Sequence, residues 1–500
     1  MKSKKIVYYF GICALPLIIM AGFRTADAQV NSNMNDSNPG TVFKAGASTS
    51  NITPFLGGGI VGNYGTPPPA IHVHDELHTR CLVLDDGTTM LAFIIVDNIS
   101  LNRDLIDEAK RLIQEESNIP RENLLVSATH THSSISAEGV GEKRRQSGNT
   151  ESFDEYQQFL IRRMADGVRI AINNLETARI GWGVGSVPEH VFIRRWRMKS
   201  GTPIPDPFGG QDSVIMNPGR DPNLLEPAGI PDPGVSFISV QSIHGKPIAL
   251  LANYSLHYVG GNPRDHISAD YFAVFADRIQ ELIKADRQEP PFVGIMTNGT
   301  SGDVNNINFG APAVRKAPYV QMKLVAEDVA REVFRVHNSV EYHNWVPLRA
   351  AEEELTLQVR KPSAQMLARA RKVIARPDTV KPIHRYEITY AHRILDFDKT
   401  WPDNIDIILQ AFRIGDLGVT AIPFEVFAEI GLEIKTKSQF RPTFTIEQAN
   451  GSYGYLPTPE QHELGGYETW SGVNFVEVEA SRKIVTKLLD MFKRIDNSKY

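Results

Sequence analysis

Short apolar runs bounded by turn residues alternate along this chain with longer stretches of helical spacing. Arg80–Leu84 and Met90–Val96 flank the turn Asp85-Asp86-Gly87 and predict two buried strands. Further strands are predicted at Leu124–Ala128, Ile180–Val184, Val235–Ser242, Ile248–Ser255, Phe292–Met296 and Gly418–Pro423. Helical spacing marks Asp104–Glu116, Tyr156–Leu175, Tyr271–Lys284, Lys323–Arg335, Ser363–Ile374 and Ser481–Ile495. Residues 352–376 predict a small helical excursion. Ser200–Gly234 is rich in Pro and Gly, and a loop of that length inside a domain is usually functional or mobile. With no internal repeat and no clear linker, the alternation predicts one large mixed α/β domain.

The first residues follow a different pattern. Lys2, Lys4 and Lys5 precede an apolar run from Ile6 to Phe23, which ends near Ala26-Asp27-Ala28. A basic start, a short apolar stretch and small residues at a cut site predict a secretory signal over 1–28. A polar leader is expected over 29–46 and the folded domain over 47–500. An exported, periplasmic or secreted protein follows from this reading.

Composition then narrows the class. Hydrophobic residues make up 42% and charged residues 22% of the 500, which excludes a disordered chain, a collagen and a multispan membrane protein. Removing residues 1–28 takes away Lys2, Lys4, Lys5, Arg24 and Asp27, leaving 49 basic against 57 acidic side chains, a net −8. An acidic chain lacks the basic footprint of a nucleic-acid binder. Of two cysteines only Cys81 remains, in an apolar run, so no disulfide framework is possible and a buried thiol is expected.

Candidate chemistry gathers at strand ends. Thr129-His130-Thr131-His132-Ser133 follows an apolar strand, and extended backbone would turn His130 and His132 to one face. His257 and Glu425 also follow apolar strands. Two imidazoles and a carboxylate are a common catalytic zinc set, although spacing alone does not bring distant residues together. The small-residue loop Thr297–Asn306 could present N–H groups to an oxyanion or be a plain turn. Arg194-Arg195-Trp196-Arg197-Met198-Lys199 could be a surface strand or a clamp for a carboxylate or sulfate. Tyr453–Glu460 and Tyr467-Glu468-Thr469 read as loops in which a phenol could be ligand, acid or base.

At these residues the chain resembles the neutral, non-lysosomal ceramidase family. The resemblance rests on Thr129–Ser133, on Asn253–His257 followed by Ser268-Ala269-Asp270-Tyr271, on Pro423-Phe424-Glu425, and on Tyr455–Glu460 with Tyr467-Glu468. It implies a single α/β domain of neutral-ceramidase type and a Zn2+ cofactor held by His130, His257, Glu425 and Tyr455. It also implies that His132, Arg194 and Tyr467 surround the substrate. In the family the metal activates water for attack on an amide carbonyl. Asn305 stands where the family presents a serine, Ile193 replaces an asparagine before the arginine, and the chain ends at Tyr500 without the family's C-terminal β-sandwich.

These departures, with the cations and the open Pro/Gly loop, suggest a polar anionic substrate. The resemblance, extended to exported bacterial relatives that work in polysaccharide breakdown, implies an anionic oligosaccharide or other small polar substrate and, as the expected reaction, loss of water from a terminal uronic acid. A zinc-dependent amide or ester hydrolase, with Asn305 replacing the serine as donor, is the alternative. A non-catalytic glycan binder is the third reading. No stable membrane insertion is expected.

Overall fold

A computed structural model describes residues 41–138, 153–312, 314–377 and 379–497. The expected export signal lies outside the described residues. Eight strands form one mixed sheet. In spatial order they are Val293–Asn298, Pro247–Tyr254, Gly234–Ser242, Glu176–Ser186, Lys44–Asn51, His78–Asp85, Met90–Val96 and Leu124–Ala128. The two outermost pairs are parallel and the inner pairs antiparallel. A second sheet holds Leu348–Gln358, Asn404–Ile414, Leu417–Ile422 and Thr443–Glu447.

Side-chain alternation explains the layering. Leu82, Leu84, Leu91, Phe93 and Ile95 join a core with Phe412, Ile414, Val419 and Phe444 of the second sheet. Their neighbours Val83, Ala92, Ile94 and Val96 point the other way, into a core with the helices Arg103–Ser117 and Glu155–Asn173. Successive strand residues face opposite sides, and here both sides are covered. That is why these strands read as continuous apolar runs. The helices Ala428–Lys437 and Ala480–Asn497 cover the outer face of the second sheet through Ile430, Ile434, Ile484 and Leu488. The order is therefore helices, sheet, sheet, helices.

Local chemistry sets several boundaries. The helix Arg103–Ser117 turns Leu105, Ile106, Ala109 and Ile113 inward and stops at Asn118, which takes a left-handed φ of 60°. The helix Glu155–Asn173 starts at Asp154, whose carboxylate accepts the Gln157 N–H at 2.8 Å while Gln157 returns a bond to the Asp154 N–H at 3.0 Å. Asp154→Ala should lower stability by about 1 kcal/mol, the usual worth of such a cap. A denaturant midpoint reads this, with activity unchanged.

Two expectations are corrected. Lys44–Asn51 is a strand, so the ordered sheet begins inside the segment expected as a polar leader. Gly46 makes this possible: a Cβ there would stand 2.1 Å from the Ala171 carbonyl oxygen, so only glycine lets that helix approach so closely. Residues 348–358 form a strand rather than the start of a helical excursion. Its run Glu352-Glu353-Glu354 hid the strand pattern because these acids pair with distant cations. Lys110, itself fully buried, reaches Glu352 at 2.8 Å, and Arg121 reaches it at 3.0 Å. Cys81 is buried, and burial pushes its thiol up to about 12. No helix among the described residues is long and apolar enough to cross a membrane.

Candidate metal centre

The strand Thr443–Glu447 brings the site together. It lies along Leu417–Ile422 and also bonds to strands near both edges of the large sheet. Asn253 donates to the Thr445 carbonyl at 3.0 Å, and Ala128 N–H donates to the Gln448 carbonyl at 3.1 Å. The loops after Leu124–Ala128 and Pro247–Tyr254 therefore meet, although those strands are far apart in the sheet order. Their cargo is His130 and His257, with ring centres 4.6 Å apart. Glu425 arrives after Leu417–Ile422 and pairs in register with Tyr455 in a two-residue bridge. All sit beyond carboxyl ends of strands, where α/β folds build their sites.

The donor atoms converge. His130 Nε2 lies 3.1 Å from His132 Nε2 and 3.4 Å from Glu425 Oε2, and His257 Nε2 lies 3.7 Å from the same oxygen. Donor atoms of His130, His132 and His257 all fall within 4.8 Å of one another, so the three could hold a metal ion. Tyr455 is within hydrogen-bonding reach of Glu425. The second nitrogen of each imidazole is anchored. His130 Nδ1–H donates to the Ile99 carbonyl at 2.6 Å and His132 Nδ1–H to the Gly62 carbonyl at 2.7 Å; His257 Nδ1 lies 3.2 Å from the Ser301 carbonyl. With Nδ1 so occupied, the Nε2 lone pairs are left free, which is how backbone partners orient metal ligands.

The residues fit a cation. His257 Nε2 and Glu425 Oε2 are buried and have no hydrogen-bond partner, a costly arrangement unless something positive lies between them. Burial holds the His132 and His257 imidazoles well below their ordinary range, the neighbouring His130 adding to both. Burial also works against charge on His130, but the Glu425 carboxylate outweighs it and raises that imidazole. Glu425 is held low despite burial, chiefly by His130. One carboxylate with neutral imidazoles is the donor chemistry zinc prefers.

His130 and His132 converge by a route different from the one their spacing predicts. The strand ends at Ala128, and His130 has a left-handed φ of 68°. A kink, rather than extended alternation, brings the rings together. Tyr258 stacks on His132 at 3.7 Å. Gly62 backs the same ring: with φ 105°, a Cβ there would stand 2.8 Å from its Cγ.

The remaining candidates divide. Tyr467 stands 5.7 Å, centre to centre, from the Tyr455 ring. Arg194 lies 5.3 Å from the Tyr455 ring centre, but its donors go to Glu468 at 2.9 Å and the Gly302 carbonyl at 2.8 Å. Arg195 is fully buried and bonds Glu468 at 2.7 Å. The cationic stretch is therefore no open clamp: its first two arginines are locked on one buried carboxylate. Arg197 lies 3.8 Å from Glu226 instead. Asn305 is not part of the cluster described above: it pairs with Phe192 across a short bridge and donates to Asn217 at 2.8 Å.

Sequence reasoning passed over Glu447 and gave Glu468, named only beside Tyr467, no role. Glu447 ends a buried strand, as Glu425 nearly does, and that position was its signal. Burial pushes its carboxyl up to about 8. It accepts Ser301 Oγ–H at 2.6 Å and Val426 N–H at 2.7 Å, so it ties the His257 support to the Glu425 backbone. Two clefts flank the centre. One of about 350 Å3 reaches His130 and Glu425 past Arg103, Trp401 and Tyr453. Another of about 360 Å3 is walled by Tyr467, Trp470, Tyr386 and the Pro-rich loop Thr202–Pro205.

No known family profile and no curated protein sequence matches the chain. Solved structures do. The neutral ceramidase from Pseudomonas aeruginosa superposes with TM-score 0.62 at 14% identity, covering 90% of this chain and 74% of that one. A ceramidase complexed with C2 gives 0.63 at 14% identity, covering 92% and 77%. The fold is ceramidase-like and mixed α/β.

Proposed function

We propose that this chain is an exported, zinc-dependent enzyme that eliminates water from a terminal uronic acid of a polysaccharide-derived oligosaccharide. The observation that supports the reading is the buried pair His257 Nε2 and Glu425 Oε2, which has no hydrogen-bond partner; His132 and Tyr467, which lie near it, would be the proton-transfer groups. His130, His257, Glu425 and Tyr455 would hold the zinc. When bound, it would supply Lewis-acid polarisation of a carboxylate, acidifying the proton on the adjacent carbon.

The chain's own groups supply the rest. His132, its Nδ1–H committed to Gly62, offers the Nε2 lone pair to take the proton from C5 of the uronate. The C5 electron pair forms the C4=C5 double bond as the C4–O bond breaks. Tyr467 Oη–H gives its proton to the departing hydroxyl, which leaves as water. His132 and Tyr467 then exchange protons with solvent and reset. Arg194 holds Tyr455 and Glu468 in place. Asn305 is engaged with Asn217, and elimination needs no hydroxyl at that position.

Incubation with oligouronates should produce the ultraviolet band of a conjugated unsaturated acid without new reducing ends. Absence of that band on every uronate glycan tried counts against elimination. Tyr467→Phe should lower turnover roughly 10²–10⁴-fold, the usual worth of a positioned acid. Metal content should stay unchanged in the same preparation.

The fold favours a second reading. The two solved structures described above are ceramidases, and the same donors would serve attack of water on an amide, with Tyr467 protonating the leaving amine. Fatty acid released from an N-acylsphingosine, with no ultraviolet band from uronates, would establish that reading instead.

A further inference from the structure

The cleft beside Tyr467 holds a cation that the fold leaves unspent. Arg385 is exposed, lines the cleft, and makes no ion pair or hydrogen bond among the described residues. Its guanidinium lies 4.6 Å from the centre of the Tyr386 ring. That ring is fixed: Tyr386 stacks on Tyr64 at 4.7 Å, and Tyr64 meets the edge of Tyr467 at 6.2 Å. A run of rings thus joins Arg385 to the phenol beside the metal donors.

A second donor faces the same space. His384 Nδ1 accepts the Tyr386 N–H at 3.2 Å, so its Nε2 carries the hydrogen. Four carboxylates lie near this space and each is engaged elsewhere: Asp206 accepts the Phe208 and Gly210 N–H groups at 2.7 and 2.8 Å, and Glu387 pairs with Arg369 and Arg376 at 2.6 and 2.7 Å. Asp212 accepts Trp470 Nε1–H at 2.9 Å, and Asp221 accepts Asn223 N–H at 2.8 Å. A free guanidinium fork and an imidazole N–H beside flat aromatic walls suit an anionic group carried on a sugar ring.

We propose that this cleft is an anion-recognising subsite, in which Arg385 and His384 bind a carboxylate or sulfate of the sugar next to the one being processed. The inference rests on the carbohydrate reading above, but not on the reaction being elimination. Arg385 is a specificity residue rather than a catalytic one.

The test is binding, measured by titration calorimetry on the full chain. The probe is the unsaturated tetragalacturonate left by a pectate lyase, which keeps its carboxylates but has no terminal hydroxyl to eliminate. Its methyl ester and a sulfated neutral tetrasaccharide are the other arms. Arg385→Ala should weaken binding of the acid about tenfold or more, the worth of a lost charged hydrogen bond. Arg385→Lys should recover part of it, and the methyl ester should bind the unaltered chain weakly. Sulfate binding more tightly than carboxylate, and lost in Arg385→Ala, keeps the subsite and assigns the anion. Equal binding of the acid by Arg385→Ala, equal binding of the ester, or no binding of either acidic probe overturns it. Lost binding in the variant with no ultraviolet band from the unaltered enzyme would overturn elimination and keep the subsite. The band with unchanged binding would do the reverse.

Discussion

His257→Ala should empty the metal site and abolish turnover while leaving the fold intact. His257 Nε2 and Glu425 Oε2 are buried, 3.7 Å apart and without hydrogen-bond partners. Removing the imidazole takes away a donor that the surrounding backbone cannot replace, because its anchor, the Ser301 carbonyl, faces the ring's other nitrogen. Outer partners of metal ligands are each worth about 10–100-fold in affinity or activity, so a ligand itself should cost more. Metal analysis of purified protein should show about one equivalent in the unaltered chain and a small fraction of that in the variant. Asn305→Ala is the matched control, since Asn305 sits with Asn217 outside the donor cluster, and it should keep its metal. Undiminished metal in His257→Ala would show that the donors have been misassigned.

Glu468→Gln should be the most destabilising single change at the site. Glu468 is fully buried and is the carboxylate that both Arg194 and Arg195 hold, at 2.9 and 2.7 Å. Neutralising it leaves two buried guanidinium charges facing one amide. Breaking a buried pair from one side costs about 3–5 kcal/mol, and here one carboxylate serves two cations. A large drop in denaturant midpoint, or failure to accumulate folded protein, is expected. Glu468→Asp, which keeps the charge on a shorter arm, should lose less. A shift under about 1 kcal/mol in Glu468→Gln would mean that water or another acid compensates the arginines.

The strands with both faces covered were the most legible part of the fold. Leu124–Ala128 coincides with its predicted limits, because a buried strand declares itself as an unbroken apolar run. Leu348–Gln358 was illegible because its side chains are half-exposed acids whose partners, such as Lys110 and Arg121, lie more than two hundred residues away. Lys44–Asn51 was hidden by small polar residues, chosen for a close helix contact rather than for strand propensity. In the site, strand ends pointed to His130, His257 and Glu425 one at a time. Their meeting depends on Thr443–Glu447 bridging distant strands, and local sequence carries no trace of that. Arg194 and Arg195 read as a cationic surface because their shared acid, Glu468, follows more than 270 residues later.

The central claim is that one zinc ion would be held by His130, His257, Glu425 and Tyr455, beside His132. Anomalous diffraction from a crystal of the full chain, collected on both sides of the zinc absorption edge, tests it most directly. The account predicts one strong peak at the point where the His130 and His257 Nε2 atoms and Glu425 Oε2 converge, present above the edge and lost below it. No peak there in zinc-supplemented crystals, or a peak held by other residues, would contradict it.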